Sequence, residues 1–458
     1  MQSWAAQELR RAQLGDGRLN RRLVRVVEDL AAQPSASVPQ ASGTWAATKG
    51  VYRFWDSEQV TPEAIRASHT QSTVERVGAY PLVLAIQDTT DLDFAHHPAT
   101  QGLGPLDNIF QHGLKVHSSL AASSEGVPLG LLHQAVWVRD PDQVGVSQRR
   151  RQRETKDKES QRWLTALAAS QAVVPEAVSV VTVADSEADI YDLFALERRP
   201  GSHLLIRGTH NRRVDHTARY LWAAVRQSPE RGQYRLALRR KEGQAARTAT
   251  LQVRYVSLEI QPPRHHLQRG VLSPVPLQVI LVEERTAPPG VTPICWLLLT
   301  SLPVESLTDA LRYVRWYSYR WLIERYHFVL KSGCRLEKLQ LEEAERIQRA
   351  LATYGIVAWR LLWLTYEARQ NPDAACDGVL EAHEWQSLYS KIHQTSHPPA
   401  TPPTLRQAVR WIAQLGGFLG RKHDGEPGVQ TIWLGLRRLS DIAAMWQLLR
   451  PSLAPGSS

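Results

Sequence analysis

The chain has 458 residues, more than a single hydrophobic core of usual size accommodates, so we expect two or three domains. Fifty-five lysines and arginines against 45 aspartates and glutamates leave a formal net charge of +10, which suits a polyanionic partner such as DNA without establishing one. Three scattered cysteines and the absence of a long apolar run argue against a disulfide framework, a zinc site, a signal peptide and a membrane span. We therefore expect a protein of a reducing cytoplasm.

The first 70 residues are predicted to be helical. The segment LNRRLVRVV, residues 19–27, is basic and amphipathic. A later helix is predicted to begin after Thr61, whose hydroxyl suits an N-cap, with Pro62 at the first helical position. A basic helix face is ordinarily a solvated surface, and a DNA-binding surface is the alternative.

Two predicted strands each lead to a carboxylate. The apolar run PLVLAIQ, residues 81–87, is followed by Asp88, and SVVTVA, residues 179–184, is followed by Asp185. Residues 113–139 between them are predicted to form a hairpin. Because open α/β sheets bind ligands outside the carboxyl ends of their strands, the two aspartates are candidates for a common site.

A β-rich region, residues 203–300, separates these strands from a predicted long helix at residues 305–331 that carries Glu324. The chain after residue 372 is predicted to be all-helical. We therefore expect three domains: a helical one at residues 1–70, a central α/β one at 71–371 and a helical one at 372–458.

The predicted long helix has a polar face. At 100° per residue its four polar side chains fall within a sector of roughly 60°, turned away from the apolar stripe. These residues are Tyr317, Arg320, Glu324 and Lys331. A solvated face with an ion pair between Arg320 and Glu324 is one explanation, and a functional surface is the other.

The carboxylates Asp88, Asp185 and Glu324 together form a candidate metal site. Mg²⁺ prefers oxygen ligands, and two such ions can activate a water or a 3′ hydroxyl for phosphoryl transfer. Helix caps and ion pairs remain the alternative explanation, because many proteins have an aspartate after a strand.

Three motifs occur in a characteristic order: QDTT at residues 87–90, ADSEADI at 184–190, and Tyr-x2-Arg-x3-Glu-x6-Lys from residue 317 to residue 331. Together they resemble the DDE transposases of the bacterial insertion-sequence-four family, the family of the transposase of transposon five. The similarity extends to further stretches along nearly the whole chain, including KGVYRFW near the N-terminus and IAQLGGFLGRK near the C-terminus.

The resemblance implies an α/β fold with a ribonuclease-H-like catalytic core, a β-rich insertion at about residues 210–300, and helical domains on either side. It implies that Asp88, Asp185 and Glu324 are the catalytic residues and bind two Mg²⁺ ions, for which Mn²⁺ can substitute.

The same resemblance implies roles in DNA binding. Tyr317 and Arg320 would hold a 5′ phosphate beside the cleaved end, and Lys331 would contact nearby DNA. Trp296 would stack on a flipped base, with Arg207 close to that base. Without the resemblance, Trp296 would be a core residue and Arg207 an exposed arginine at a strand end.

The N-terminal helices would recognise DNA ends, and the candidate residues there are Arg21, Arg22 and Arg25. The expected activity is cut-and-paste transposition, in which transposon ends are nicked, closed as hairpins, reopened and joined to target DNA.

Expected partners are double-stranded DNA with terminal inverted repeats, target DNA, and a second copy of the chain in a DNA-bound synaptic complex, with no membrane. We expect the protein in the bacterial cytoplasm, at the nucleoid when DNA is bound. A DNA-binding derivative without transposition and a nuclease that cuts without joining are the alternatives.

Overall fold

A computed structural model of the chain describes residues 3–108, 110–141, 158–238, 246–267 and 270–449. The sequence also has a basic run, QRRRQRETKDK at residues 148–158, which lies outside the described residues except for its last position. The helices are α1 (Trp4–Glu8), α2 (Gly17–Ala32), α3 (Val38–Ser42), α4 (Trp45–Asp56), α5 (Pro62–Val77), α6 (Gln161–Val173), α7 (Tyr191–Ala195), α8 (Leu221–Gln227), α9 (Leu307–Ser318), α10 (Trp321–Phe328), α11 (Ala344–Gln370), α12 (Ala382–His393), α13 (Leu405–Leu415) and α14 (Val429–Leu449). The strands are β1 (Leu82–Asp93), β2 (Gly104–Pro105), β3 (His112–Ser123), β4 (Pro128–Trp137), β5 (Ser179–Ala184), β6 (Ser202–Arg207), β7 (Glu230–Leu238), β8 (Arg247–Ile260), β9 (Val275–Glu284) and β10 (Cys295–Thr300).

The described strands form one mixed sheet in the order β2-β3-β1-β5-β6-β10-β9-β8-β7, with β4 also paired to β3. The pairs β1–β5 and β5–β6 are parallel, and the other pairs are antiparallel. The predicted hairpin is confirmed as β3 and β4, and its turn contains Gly126 at a φ of +87°, which favours glycine. The β-rich region is also confirmed, and its strands β7 to β9 extend the central sheet through β10.

Residues along β1 alternate between two cores, as the period of a strand requires. Leu84 and Ile86 pack into the larger core with the N-terminal helices and α11. Val83 and Ala85 pack into a core on the other face. Asp88 therefore shares a face with Leu84 and Ile86, whereas its neighbours in the chain point toward α6.

Helix α11 connects all parts of the molecule. Every side chain from Arg349 to Trp359 is buried, so this helix has no solvated face over three turns. It packs against α2, α4, α5, β4, α13 and α14. The N-terminal helices, the sheet and the C-terminal helices consequently share apolar contacts with one element.

Two predictions about element boundaries are wrong. Strand β1 continues past Asp88 to Asp93 because β3 pairs with it along that whole length. The long helix at 305–331 is interrupted. The N–H groups of Tyr319 and Arg320 donate to the carbonyls of Trp316 and Tyr317, each at 3.0 Å, so i−3 bonds tighten the chain between α9 and α10.

The N-terminal helices are anchored to the sheet by a buried polar cluster. His69 Nε2 accepts the N–H of Leu131 at 3.0 Å, so the neutral ring carries its proton on Nδ1, which donates to Glu8 at 2.6 Å. Arg76 donates to both oxygens of Glu8, at 2.6 and 3.0 Å. Burial lowers the pKa of His69, and hydrogen bonds from His69 and Arg76 outweigh burial to lower the pKa of Glu8 to about 2.

Among the described residues, no helix is both long and apolar enough to cross a membrane.

We expect Glu8→Gln to lower the free energy of unfolding near neutral pH by about 1–3 kcal/mol, because Arg76 loses its charged partner. The folded pKa of Glu8, about 2, lies below its ordinary value of 4.5. Its contribution is therefore complete above pH 4.5 and is lost as the pH falls toward 2. Urea unfolding at about pH 7 and about pH 3 should show a difference between variant and parent that shrinks on acidification.

Glu75→Gln is the matched control, because Glu75 precedes Arg76 on the same helix and pairs with the exposed Arg10 and Arg11. Glu75→Gln should lower the free energy of unfolding by less than about 1 kcal/mol. Equal losses in the two variants at both pH values would contradict the anchoring role of Glu8.

Candidate active site

Strand pairing brings Asp88 and Asp185 side by side. Strands β1 and β5 pair in parallel up to Ile86 opposite Val183. Continuing that register by two residues sets Asp88 beside Asp185 on the same face of the sheet. At this point β5 ends while β1 continues along β3, so the two carboxylates lie where the pairing of β1 with β5 stops.

Each aspartate also accepts a hydrogen bond from a backbone N–H group close to it in the chain. Asp88 accepts the N–H of Thr89 at 2.8 Å, and Asp185 accepts the N–H of Glu187 at 2.9 Å, which caps the short turn Ser186–Ala188. These bonds fix the directions of the two side chains.

Electrostatics at Asp88 are unfavourable for its ionised form. Burial raises its pKa to about 7, and the negative charges of Asp185 and Glu324 add to the effect. The Thr89 N–H and the Arg320 guanidinium act in the opposite direction without cancelling it.

Glu324 approaches the aspartates from α10, and Arg320 lies between them. The guanidinium is 2.5 Å from a carboxylate oxygen of Glu324 and 3.8 Å from one of Asp88. Arg320 is itself 9% exposed, so its charge acts in a poorly solvated environment.

This donor set fits a divalent cation in its chemistry. The three carboxylates offer hard oxygen ligands, and a cation would relieve the repulsion that raises the pKa of Asp88. Among the described residues, no three His, Cys, Asp or Glu side chains are close enough together to hold an ion as they stand. Glu324 is engaged by Arg320 instead.

Tyr317, Trp296 and Arg207 continue the site away from the carboxylates. The charges of Arg320 and Arg207 act on the pKa of the Tyr317 phenol, so both guanidinium groups lie near it, and the Tyr317 ring meets that of Trp296 edge-on with centroids 5.7 Å apart. Arg207 donates to the carbonyl of Cys295 at 3.4 Å. These residues lie in a row from Arg207 through Tyr317 and Arg320 to Glu324.

The prediction of an outward polar helix face is wrong for two of its four residues. Tyr317 is only 4% exposed and Arg320 9%, because the turn between α9 and α10 directs them against β10 and β1. Burial raises the pKa of the Tyr317 phenol, which therefore stays protonated.

Lys331 lies in a π-helical turn, Val329–Gly333, rather than in a continuing α-helix. Its ammonium donates to the carbonyl of Asp91 at 2.8 Å and lies 3.3 Å from Glu337. It therefore supports the distal part of β1.

Arg21, Arg22 and Arg25 lie on the exposed face of α2. Arg25 pairs with Asp29 at 3.0 Å, and the Arg22 guanidinium packs over Gly50 of α4.

Sequence reasoning missed several residues around the site. Arg162 and His117 contact Thr89, next to Asp88, and neither was a candidate site residue. A polar cleft of about 670 Å³ lies beside the aspartates, and its lining includes Thr89, Lys115, Arg139, Arg162 and Glu187. Trp321 was also missed; it is 53% exposed, and the Arg320 guanidinium lies 5.3 Å from its ring centre.

We expect Asp88→Asn to raise the free energy of unfolding by about 1 kcal/mol without divalent metal at about pH 8. The raised folded pKa means that ionised Asp88 destabilises the folded protein at this pH, whereas the neutral amide still accepts the Thr89 N–H. Any stabilisation of the parent by Mg²⁺ should be lost in the variant. Urea unfolding with EDTA and with Mg²⁺ measures both effects.

Asp107→Asn is the control, because Asp107 is an exposed acid of the neighbouring cleft, paired with Lys115 and Arg139. It should keep the Mg²⁺ response and gain no stability in EDTA. An Asp88→Asn protein that is less stable than its parent in EDTA would contradict the electrostatic account.

Three family models match the chain, in an order that agrees with its architecture. Residues 1–60 match Transposase DNA-binding, residues 147–360 match Transposase DDE domain, and residues 356–448 match Transposase Tn5 dimerisation domain. The DDE match contains Asp185 and Glu324 but begins after Asp88, which strand pairing brings beside Asp185. Because all three models describe parts of transposases and follow one another along a single chain, the protein is identified as a DDE transposase.

Proposed function

We propose that the protein is a cut-and-paste transposase of the insertion-sequence-four type whose catalytic carboxylates are Asp88, Asp185 and Glu324. The observation that carries the proposal is the parallel register of β1 and β5, which aligns the two aspartates, together with Arg320, which links Asp88 to Glu324. Carboxylates crowded in this way are costly to keep ionised, and a divalent cation offsets that cost.

The strand order supports a ribonuclease-H-like core. Strands β4, β3 and β1 are antiparallel neighbours, and β5 and β6 continue from β1 in parallel. The β-rich insertion enters after β6 and returns through β10, which accounts for the long separation in sequence between Asp185 and Glu324.

Asp88, Asp185 and Glu324 would hold two Mg²⁺ ions, with Mn²⁺ as a substitute. Bound ions of this kind lower the pKa of a nucleophilic water or 3′ hydroxyl and neutralise charge on the leaving oxygen. The protein's own contribution is to hold the three carboxylates at one edge of the sheet and to direct Asp88 and Asp185 through their backbone hydrogen bonds.

Arg320 and Tyr317 would bind the phosphate of a DNA end. A guanidinium binds phosphate through paired hydrogen bonds, and the buried phenol of Tyr317 can donate one more. Since Arg320 pairs with Glu324 in the DNA-free protein, an incoming phosphate competes with Glu324 for the guanidinium. DNA binding would thereby release Glu324 for metal coordination.

Arg207, Trp296 and Lys331 would bind DNA around this phosphate. Trp296 is partly exposed and meets Tyr317 edge-on, and aromatic rings of this kind can stack on a base. The charge of Arg207 acts on the same tyrosine, so we expect this arginine to act on the same nucleotide.

Each chemical step is a phosphoryl transfer at the same site. A water attacks the phosphodiester at the transposon end and leaves a 3′ hydroxyl. That hydroxyl attacks the opposite strand and expels its 3′ oxygen to form a hairpin. A second water opens the hairpin, and the regenerated 3′ hydroxyl attacks target DNA.

The flanking regions would organise the DNA. The N-terminal helices, with Arg21, Arg22 and Arg25 exposed on α2, would bind terminal inverted repeats. The match to a dimerisation domain supports a homodimer, which in the working complex would bring two DNA ends together.

We expect Glu324→Gln to abolish nicked, hairpin and joined products together, with a loss of at least about a thousandfold, because one site performs every step. A labelled duplex carrying the terminal inverted repeat is incubated with protein and Mg²⁺ and resolved on a denaturing gel. Glu345→Gln is the matched control, since Glu345 pairs with Arg349 across the same spacing but lies on exposed α11 surface.

Binding without cleavage by the unaltered protein would favour a DNA-binding derivative over the proposed transposase. Cleavage without hairpin or joined product would favour a nuclease.

We expect Arg320→Ala to change two affinities in opposite directions. Affinity of the DNA-free protein for Ca²⁺ should rise by roughly threefold to tenfold, because a positive charge leaves the carboxylates. Affinity for the end duplex without metal should fall about tenfold, because a phosphate ligand is lost. Calorimetry measures the affinity for Ca²⁺, and gel-shift assays measure the affinity for the end duplex.

Arg315→Ala is the control, because Arg315 is exposed on α9 and contacts Tyr319 rather than the carboxylates. It should leave Ca²⁺ affinity unchanged. A fall of both affinities in Arg320→Ala would contradict the competition between phosphate and Glu324.

A further inference from the structure

A partly buried polar network lies on the face of β1 opposite to Asp88. Arg162, at the start of α6, donates from Nε to the Thr89 hydroxyl and from Nη2 to Glu187, both at 2.8 Å. Its Nη1 donates to the carbonyl of Glu159 at 2.9 Å, so each guanidinium nitrogen has a protein acceptor. The side chain is 16% exposed and packs on the Trp163 ring.

His117 contacts both neighbours of Asp88. Its Nε2 lies 3.3 Å from the amide oxygen of Gln87, and its Nδ1 lies 2.9 Å from the Thr89 hydroxyl, which accepts from Arg162. Burial and the charge of Arg162 hold the pKa of His117 well below its usual value, so the ring is neutral.

These contacts hold the chain on both sides of the two aspartates. Gln87 and Thr89 flank Asp88 in β1, and both point to the His117 side. Glu187 follows Asp185 in the adjacent turn, and its N–H donates to the Asp185 carboxylate. Arg162 thus bonds to the residue that follows Asp88 and to the residue two positions after Asp185.

We infer that Arg162 is a positioning residue that sets the separation of Asp88 and Asp185. The two carboxylates repel each other, and β1 and β5 are no longer paired where they stand. A rigid guanidinium that bridges the adjacent segments resists their separation. The inference rests on the proposed function, in which these carboxylates bind metal together.

The expected effect is on metal affinity rather than on DNA affinity. Some residues orient a metal ligand without contacting the metal. Removing such a residue typically lowers metal affinity by about 10-fold to 100-fold. Arg162→Met keeps the aliphatic packing on Trp163 but removes all three donors. Thr89→Val removes the hydroxyl while keeping the Arg162 to Glu187 pair, so it should show a smaller loss.

The test is calorimetric titration of Ca²⁺ into the DNA-free full-length protein, with end-duplex binding in EDTA and urea unfolding measured in parallel. Arg162→Met should weaken Ca²⁺ binding about 10-fold to 100-fold and leave end-duplex affinity within about twofold. In the cleavage assay its half-saturating Mg²⁺ concentration should rise, with activity recovered at high Mg²⁺.

Arg139→Met is the matched control. Arg139 lies in the same cleft but bonds to Asp107 and Glu159, neither of which adjoins an aspartate of the site. It should keep the parent's Ca²⁺ affinity even if its stability falls. Arg162→Lys keeps the charge but cannot hold both acceptors, so it should recover only part of the affinity.

Parent-like Ca²⁺ affinity in both Arg162→Met and Thr89→Val would overturn the inference, as would a loss confined to end-duplex binding, which would make Arg162 a DNA contact. Asp88→Asn separates this outcome from failure of the proposed function. If Asp88→Asn also leaves Ca²⁺ affinity unchanged, the proposed metal site is wrong and the inference falls with it.

Discussion

Repulsion among three carboxylates is the constraint on which the candidate active site depends. Asp88 is buried beside Asp185 and within reach of the charge of Glu324, and its pKa is raised to about 7 as a result. Such a group persists in a folded protein only when the surrounding structure holds it in place. Here the holding forces are the Thr89 N–H, the Arg320 guanidinium and the pairing of β1 with β3.

The two faces of β1 divide the work of the site. One face carries Asp88 toward Asp185 and Glu324. On this face Arg320 pairs with Asp88 and Glu324 and lies near Tyr317, which is followed by Arg207. The other face carries Gln87 and Thr89 into a buried network with His117 and Arg162. A strand alternates its side chains, so residues adjacent in sequence act on separate sides of the sheet.

The three regions that the family models distinguish are physically continuous in this chain. Helix α11 contributes to the core of the sheet and to the packing of the helices before and after it. The N-terminal helices are joined to β4 through Glu8, His69 and Arg76. The region that matches a DNA-binding model is therefore joined directly to the central sheet.

Local sequence patterns were sufficient to predict the strands and helix ends that local interactions determine. Apolar runs predicted β1, β5 and the strands of the insertion, and Thr61 with Pro62 predicted the start of α5, where the Thr61 hydroxyl does accept the N–H of Ala64. Motif spacing identified Asp88, Asp185 and Glu324 as candidates, and the structure brings them to one edge of the sheet.

Contacts between distant segments decided the rest. Periodicity treats residues 305–331 as one helix, but i−3 hydrogen bonds break it at Tyr319 and Arg320, so Tyr317 is buried instead of exposed. Arg162 and His117 act through Thr89, and no spacing in the sequence connects those three residues. The sequence by itself determined which strands and carboxylates the protein has. Only the tertiary structure decided which side chains surround them, because burial and ion pairing depend on residues that folding brings together from far along the chain.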